Sequence, residues 1–574
     1  MMRIINLKKI EKLWEKVPEN GRPVLITCFL SFCAALSAVA FLYLIKLSYE
    51  LTYERFAEES PVYFITASFI LISVSSLIVG FLLFIFSPEA AGSGIPQMKA
   101  AYWKEMGNLP LKPVIVKFFA GIISIGGGNS LGREGPSVYL GSGVASNLEG
   151  RIDKNFRNKR AASLIGASAG LAAAFNTPLA AITFVIEEVV GDLNNKYLGR
   201  VVLSAVIGAF VVYAFLGRQP AFSLPMLNNI SWSHYLLVPV VAFAASFLGV
   251  LFQKNTLKIR KSLKKHKKLP PWMLPLIGGL ITWVIGTSIY LFTGKLGVFG
   301  LGYNDLTDLM TKNFEWRIAG ILVFGKLFAT ISSYSFGGCG GIFAPSLFIG
   351  GFTGYFIGSL AGLWISLTGD DIIVLAAVGM SAYLGAVVQA PITSVLIVFE
   401  MTHQFAIVPA LMIGIIISQA VARKWCKLNF YDAILIQDGN LLHKIRPPVD
   451  LHSWQNLPIS AIASPNTVFL KDLSNESMKE VLENYSYRAF PVIESGSLKG
   501  ILTRREVEEA VKKRTKPVVH EAGTCYSSQT VSEVGNKFIE YDVQVLIVKD
   551  SKTDEITGII TLRDLIRAQA ALQS

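Results

Sequence analysis

Long apolar runs separated by short polar connectors fill the chain up to about residue 435. They recur at 24–47, 62–86, 161–186, 201–216, 235–252, 274–292, 318–331, 342–365, 372–390 and 406–422. A straight helix needs about 20 apolar residues to cross a hydrocarbon core. Several of these runs are shorter than that or are interrupted by Gly and Pro. Such pieces are tolerated only where protein or a water-filled cavity covers their ends. The pattern predicts an all-α polytopic membrane domain with broken, re-entrant helices. From about residue 457 the texture changes. Short apolar strands at 489–493 and 545–548 alternate with helical stretches, which predicts a small α/β domain.

The membrane part contains two repeated halves. Asn176-Thr177-Pro178 and Glu187 align with Gln389-Ala390-Pro391 and Glu400; 391 − 178 and 400 − 187 are both 213. Upstream of each copy lies a Gly-rich turn that ends in proline, and 345 − 136 is 209. Paired interrupted segments in two halves point to a binding site between them. The matched acids Glu187 and Glu400 are expected to be structural, satisfying backbone or a neighbouring helix. Glu188 aligns with Met401 and breaks the symmetry. It either snorkels from a span end or relays protons.

The candidate chemistry lies in the breaks. Leu131-Gly132-Arg133-Glu134-Gly135-Pro136-Ser137 follows the apolar run 114–130. An ionisable group at membrane depth costs roughly 2–4 kcal/mol, so a carboxylate there is a functional candidate by default. Glycine allows a tight turn, and Pro136 suits the first turn of a following helix. A third Gly-rich turn is Ala91-Gly92-Ser93-Gly94-Ile95-Pro96-Gln97, and a polar piece, Phe430-Tyr431-Asp432, follows the last run. A small anion in transit needs donors that replace water without holding it too tightly. Helix N-termini carry a fractional charge of about +0.5, and hydroxyls such as those of Ser93 and Tyr431 donate without formal charge.

Composition agrees with the pattern. The chain has 574 residues, of which 52% are hydrophobic and 16% charged. Soluble domains carry about 25% charged residues. The net charge of +13 is attributed to connectors, one with Arg151, Lys154, Arg157, Lys159 and Arg160, another with Lys254, Lys258, Arg260, Lys261, Lys264, Lys265, Lys267 and Lys268. Both read as cytoplasmic by the positive-inside bias, and the acids Glu54, Glu58 and Glu59 fit the opposite side. The basic runs are short and flanked by spans, so no nucleic-acid partner is expected. The five cysteines are scattered, with no disulfide framework or zinc spacing, and the six histidines are dispersed. No metal site is expected. The N-terminal lysines Lys8, Lys9, Lys12 and Lys16 imitate a signal peptide, but the apolar run to residue 47 is too long for one.

Gly-Ser-Gly-Ile-Pro at 92–96, Gly-Arg-Glu-Gly-Pro at 132–136 and Gly-Ile-Phe-Ala-Pro at 341–345 resemble the three signature motifs of the CLC family of chloride channels and chloride/proton exchangers. With the Asn176–Glu188 segment and Tyr431, the resemblance covers about 23–435. It implies a homodimer in membrane lipid with one anion pathway in each subunit. It implies that Ser93 and Tyr431 donate to a central chloride. The amides of Ile342, Phe343 and Ala344, with those of Arg133, Glu134 and Gly135, would line an outer site. Glu134 takes the place of the gating glutamate and Glu188 that of the internal proton-transfer acid. Ser93, rather than proline, matches chloride over nitrate. Lys99 departs from some bacterial members, which carry an acid there, and puts the internal proton access in question.

The C-terminal part repeats as well. Gly500 to Glu506 matches Gly558 to Asp564, and 561 − 503 is 58. This resembles a tandem of CBS domains, a module that in many proteins binds adenine nucleotides. Thr503, Glu506, Thr561 and Asp564 are candidate ribose ligands; the alternative is that each Thr-x-x-acid pair only caps a helix. No other cofactor is expected. The resulting division is a basic segment 1–22, a transport domain 23–435, a linker 436–456 and CBS domains 457–515 and 516–574. The expected function is chloride transport, as a chloride/proton antiporter or alternatively as a passive voltage- or pH-gated chloride channel. The expected location is a bacterial inner membrane, with the N-terminus and CBS domains cytosolic. Two rivals are a membrane enzyme using Glu134 and Glu188 as acid and base, and a nucleotide sensor anchored by its membrane part. No nucleophile–base pair supports the enzyme, and an anchor needs no membrane-depth Gly-Pro breaks.

Overall fold

The structure, a computed structural model, describes residues 21–152, 159–191, 197–217, 227, 229–265, 269–311, 314–440, 457–464, 467–487, 489–494, 497–540, 545–551 and 553–565. Lys8, Lys9, Lys12, Lys16, Lys154, Arg157, Lys267, Lys268 and residues 441–456 of the linker lie outside them. The chain divides into two compact units, Met1–Lys444 and Ile445–Ser574.

The first unit is helical throughout. Its helices are α1 (Arg22–Tyr49), α2 (Pro61–Phe86), α3 (Ile95–Lys104), α4 (Leu111–Gly126), α5 (Glu134–Ile152), α6 (Lys159–Phe175), α7 (Pro178–Phe184), α8 (Leu198–Phe215), α9 (His234–Lys265), α10 (Leu274–Thr293), α11 (Tyr303–Thr311), α12 (Trp316–Ser335), α13 (Phe343–Ala361), α14 (Gly369–Val388), α15 (Pro391–Thr402), α16 (Val408–Trp425) and α17 (Phe430–Gln437). Among the described residues, nine segments are long and apolar enough to span a membrane. Helix α2 shows why they belong there. It buries Ser68, Ser75, Ser76 and Gly80 while exposing Val62, Ile70, Phe84 and Ile85. Small residues pack inward and large apolar ones face out, as lipid rather than water requires.

The repeat is visible in the packing. A Cβ on Gly141 would lie 2.2 Å from the Gly166 carbonyl oxygen, and one on Gly166 2.1 Å from that of Gly141. Gly350 and Gly379 form the same crossing, at 2.3 and 2.1 Å. Here 350 − 141 is 209 and 379 − 166 is 213, the offsets of the sequence repeat. The run 161–186 is not one helix. It breaks at Asn176, whose φ is +59°, before Pro178; Gln389, with φ +57°, breaks the chain before Pro391 in the same way. Proline disfavours a helical residue before it, and an amide side chain tolerates the left-handed conformation. The basic stretch from Lys254 to Lys265 is not a connector but the end of α9, which continues past its apolar run. There Arg260 and Lys264 bond Asp438, just after α17. Burial pushes the Asp438 carboxyl up, but these two cations outweigh it and hold it below the usual carboxylate range.

The second unit holds two small sheets. In one, β1 (Ala489–Glu494) pairs antiparallel with β2 (Ser497–Thr503). In the other, β4 (Val545–Lys549) pairs parallel with β3 (Thr524–Tyr526) and antiparallel with β5 (Ile556–Thr561). Phe490, Val492, Leu502 and Val507 pack one core; Cys525, Leu546, Val548 and Ile560 pack the other. Residues 457–464 precede the first repeat but serve the second: Ile459 enters the second core and Ser464 bridges to Ile559.

Candidate anion and proton sites

Two helix N-termini meet where the halves join. Gly132 N–H donates to Gly341 O at 2.7 Å, and Gly341 N–H to Gly132 O at 2.5 Å. Such reciprocity, residue i to j and j to i, is the mark of a two-fold relation. Helix α5 begins beside this bridge at Glu134 and α13 at Phe343, with Ile342 as its N-cap. The Glu134 side chain is fully buried. Its Oε1 accepts from the Tyr303 hydroxyl at 2.7 Å and its Oε2 from the Ala344 amide at 3.3 Å. Arg133 places Nε 3.9 Å from Oε1, with its guanidinium over the Tyr303 ring. A Cβ on Gly135 would sit 2.2 Å from Ser93 Oγ, so only glycine admits this approach.

Ser93 lies between Gly92 and Gly94, whose φ values are +70° and +90°. Lys117 pins that loop, donating to the carbonyls of Ala90 at 2.7 Å and Gly92 at 2.9 Å. Tyr431, in the first turn of α17, stacks its ring 6.5 Å from that of Phe343. The hydroxyls of Ser93 and Tyr431 are buried and face each other, and neither makes a well-formed hydrogen bond to any other described residue. A buried unsatisfied hydroxyl costs about 1–3 kcal/mol. A small anion accepting from both would remove that cost. The fold gathers these residues around two points: Arg133, Glu134, Gly135, Ile342, Phe343 and Ala344 at one, Ser93 and Tyr431 at the other.

Glu188 does not snorkel. It sits in a π-helical turn, Val185–Val190, and its side chain is 2% exposed. Lys99 Nζ lies 2.6 Å from it and 2.5 Å from Asp432. Asn429 Nδ2 donates to both Glu188 oxygens, at 3.2 and 3.0 Å. The same Asn429 is the N-cap of α17, accepting from the Asp432 amide at 2.8 Å. One residue therefore ties the acid to the helix that carries Tyr431. Snorkelling fails because the partners are internal: Lys99, on α3, pairs with the acid where it stands.

Glu187 and Glu400 form the expected structural pair. Glu400 accepts from the amides of Leu179 and Ala180 at 2.9 and 2.7 Å. Glu187 accepts from those of Ile392 and Thr393 at 3.1 and 2.8 Å. Each caps the other half's post-proline helix. Glu400→Gln is expected to lower stability by about 2–4 kcal/mol, the scale of losing charge-assisted bonds to buried amides. Thermal unfolding in detergent measures this. An unchanged melting point with altered ion transport would show the pair to be functional instead.

In the second unit Thr503 and Glu506 form a reciprocal capping box, and Thr561 and Asp564 make the same bonds. Burial raises the Glu506 carboxyl, yet hydrogen bonds from Thr503 and His520 hold it below its usual range. The capping alternative is therefore what these four residues display. Among the described residues no group of three His, Cys, Asp or Glu is placed to hold a metal.

Tyr303, Lys117 and Asn429 were not among the sequence candidates, and Asp432 entered only as part of the polar piece 430–432. Lys117 carries no local signal, standing alone in the apolar run 114–130 with only backbone carbonyls as partners. Tyr303 had a signal, the Gly300-Leu301-Gly302 spacing that copies Gly92-Ser93-Gly94.

Comparison with known proteins gives a consistent result. A family model described as Voltage gated chloride channel matches residues 75–423, more than half of the chain. Two CBS domain matches cover 463–513 and 514–571. The H(+)/Cl(-) exchange transporter ClcA of Vibrio parahaemolyticus serotype O3:K6 is 33% identical over 356 residues, 60% of this chain and 74% of the relative. A crystal structure of a eukaryotic CLC transporter superposes with TM-score 0.61 at 21% identity, covering 94% of this chain and 97% of that one. A slow cyanobacterial Cl-/H+ antiporter gives TM-score 0.63 at 21% identity over 72% and 97%.

Proposed function

This chain belongs to the voltage-gated chloride channel, or CLC, family and carries a tandem of CBS domains, and from that premise we propose that it exchanges chloride for protons. It is a multi-pass membrane transporter, not an enzyme, so the acid–base reading of Glu134 and Glu188 is set aside. The observation that carries the antiport reading is the order of groups. Two buried carboxylates, Glu134 and Glu188, both act on the Tyr431 hydroxyl, which faces that of Ser93 with no well-formed bond to any other described residue. Chloride passes the hydroxyls and the helix N-termini. Glu134 gates the outer end, and Glu188 carries protons from the inner end.

The basic end of α9 and the end of α17 lie together through Arg260, Lys264 and Asp438. The positive-inside bias favours a cytosolic side for that face, which supports a bacterial inner-membrane location with the N-terminus and the CBS tandem in the cytosol. Family membership supports a homodimer with one pathway in each subunit. It also supports an adenine nucleotide at the CBS tandem. Because Thr503, Glu506, Thr561 and Asp564 already bond in caps, ribose hydroxyls would replace the Thr–acid bonds there.

One observation favours a second reading, a passive chloride channel: Lys99 clamps Glu188 in an ion pair. Purified protein in liposomes, followed by chloride and pH electrodes together, separates the two. An outward chloride gradient should drive protons against their own gradient. Chloride flux with no uphill proton movement would establish the channel.

A further inference from the structure

The gate carboxylate is held by a residue whose placement the repeat explains. In the first half, Gly92 and Gly94 take left-handed φ values of +70° and +90°, and α3 begins next, at Ile95. In the second half, Gly300 and Gly302 take +53° and +78°, and α11 begins next, at Tyr303. The differences 300 − 92, 302 − 94 and 303 − 95 are all 208. A buried lysine pins each loop. Lys117 donates to the carbonyls of Ala90 and Gly92, and Lys326 to those of Val298 at 3.3 Å and Gly300 at 2.7 Å. These carbonyls are again 208 apart. One device, a Gly-x-Gly loop under a lysine ahead of a short helix, is thus built twice.

The two copies deliver different groups. The first delivers Ser93. The second delivers Tyr303, whose hydroxyl donates to Glu134 Oε1 at 2.7 Å. Tyr303 also borders a cleft of about 270 Å³ that is shared with Arg133. Tyr303 therefore stands between this cleft and the buried Glu134 carboxylate, touching both.

We propose that Tyr303 is the latch of the gate, a positioning residue that holds ionised Glu134 in the outer anion site and sets the pH at which the pathway opens. The inference rests on the gating role of Glu134. A hydroxyl donor stabilises the ionised, site-occupying carboxylate. Without it, the carboxylate takes up a proton at higher pH and leaves more readily. Other groups face the same carboxylate. Arg133 comes from its own segment, the Ala344 amide from α13, and the Tyr431 hydroxyl from α17. Across the cleft stand Lys46, Glu50, Glu54, Lys295 and Asp305. A single substitution at Tyr303 leaves all of these in place.

The test is Tyr303→Phe in the full-length protein in liposomes, with chloride and proton flux recorded against external pH. The half-activation pH should rise by about one unit, the tenfold change equivalent to about 1.4 kcal/mol and within the range for a hydrogen bond to a charged group. That midpoint does not depend on how much protein folds. In a Glu134→Gln background, adding Tyr303→Phe should change nothing. A profile for Tyr303→Phe that overlays the wild type overturns the latch alone. An equal effect of Tyr303→Phe in both backgrounds also overturns it, because the tyrosine would then act through general packing. If Glu134→Gln keeps the wild-type pH dependence, the gate reading fails, and the latch fails with it.

Discussion

Glu134→Gln is expected to leave a chloride pathway that ignores external pH and moves no protons. The reasoning starts from a likeness of charge. An ionised Glu134 is itself an anion at the mouth of an anion site, fully buried and bonded to the Tyr303 hydroxyl and the Ala344 amide. It sits at the start of α5 and faces the start of α13, two N-termini that favour negative charge. On the proposed gating reading, carboxylate and chloride compete for one place. Protonation removes the carboxylate's advantage and the ligand's charge decides the outcome. Glutamine has nearly the same shape but carries no charge. Its amide can still accept one hydrogen bond, but it brings no charge for the two N-termini to hold, so it competes poorly with chloride for the site. Chloride flux should persist across the external pH range while uphill proton movement falls to background. Chloride transport by Glu134→Gln with wild-type pH dependence and proton coupling would sink the gating assignment.

What could be read from the sequence was whatever repeats or breaks a local rule. Glycine and proline inside apolar runs marked the three breaks, because a helix cannot pass them without exposing backbone. The offsets of 209 and 213 paired Glu187 with Glu400, and the structure shows each capping the other half's helix. What escaped was long-range complementarity. Nothing local says that Lys99 will meet Asp432, separated from it by 333 positions. Lys117 and Lys326 bond only backbone carbonyls, and no side-chain pattern announces such partners. The second Gly-x-Gly loop went unread because Leu301 stands where Ser93 would have drawn attention. The end of α9 was misjudged for a physical reason: polarity limits a membrane span, but Lys and Arg are good helix formers and carry the helix on into water. The Thr-x-x-acid pairs were legible either as ligand sites or as caps, and only coordinates could separate the two.

Glu188→Gln should stop uphill proton movement while chloride still runs down its gradient. The reason lies in the charge count around Lys99. One lysine bonds two carboxylates, Glu188 at 2.6 Å and Asp432 at 2.5 Å. One lysine and two ionised carboxylates sum to a single negative charge, which one added proton would cancel. On the proposed proton route the trio is where that proton would be held. Asp432 is 20% exposed and Glu188 only 2%, so the site reaches from near solvent to the interior. Asn429 joins Glu188 to the cap of α17, two residues before Tyr431, and so gives the proposed proton site a direct link to the proposed anion site. Glutamine at 188 leaves one lysine facing one aspartate, a balanced pair with no need of a proton. It keeps an oxygen for Lys99, so the fold should survive. Lys99→Met is the contrasting variant. It strands two acids, and breaking a buried pair costs about 3–5 kcal/mol, so it should fail in stability before coupling can be measured. The decisive reading is the paired electrode trace for Glu188→Gln. Proton pumping at the wild-type ratio would remove Glu188 from the proton path and leave the trio as a structural clamp between α3, the π-helical turn and α17.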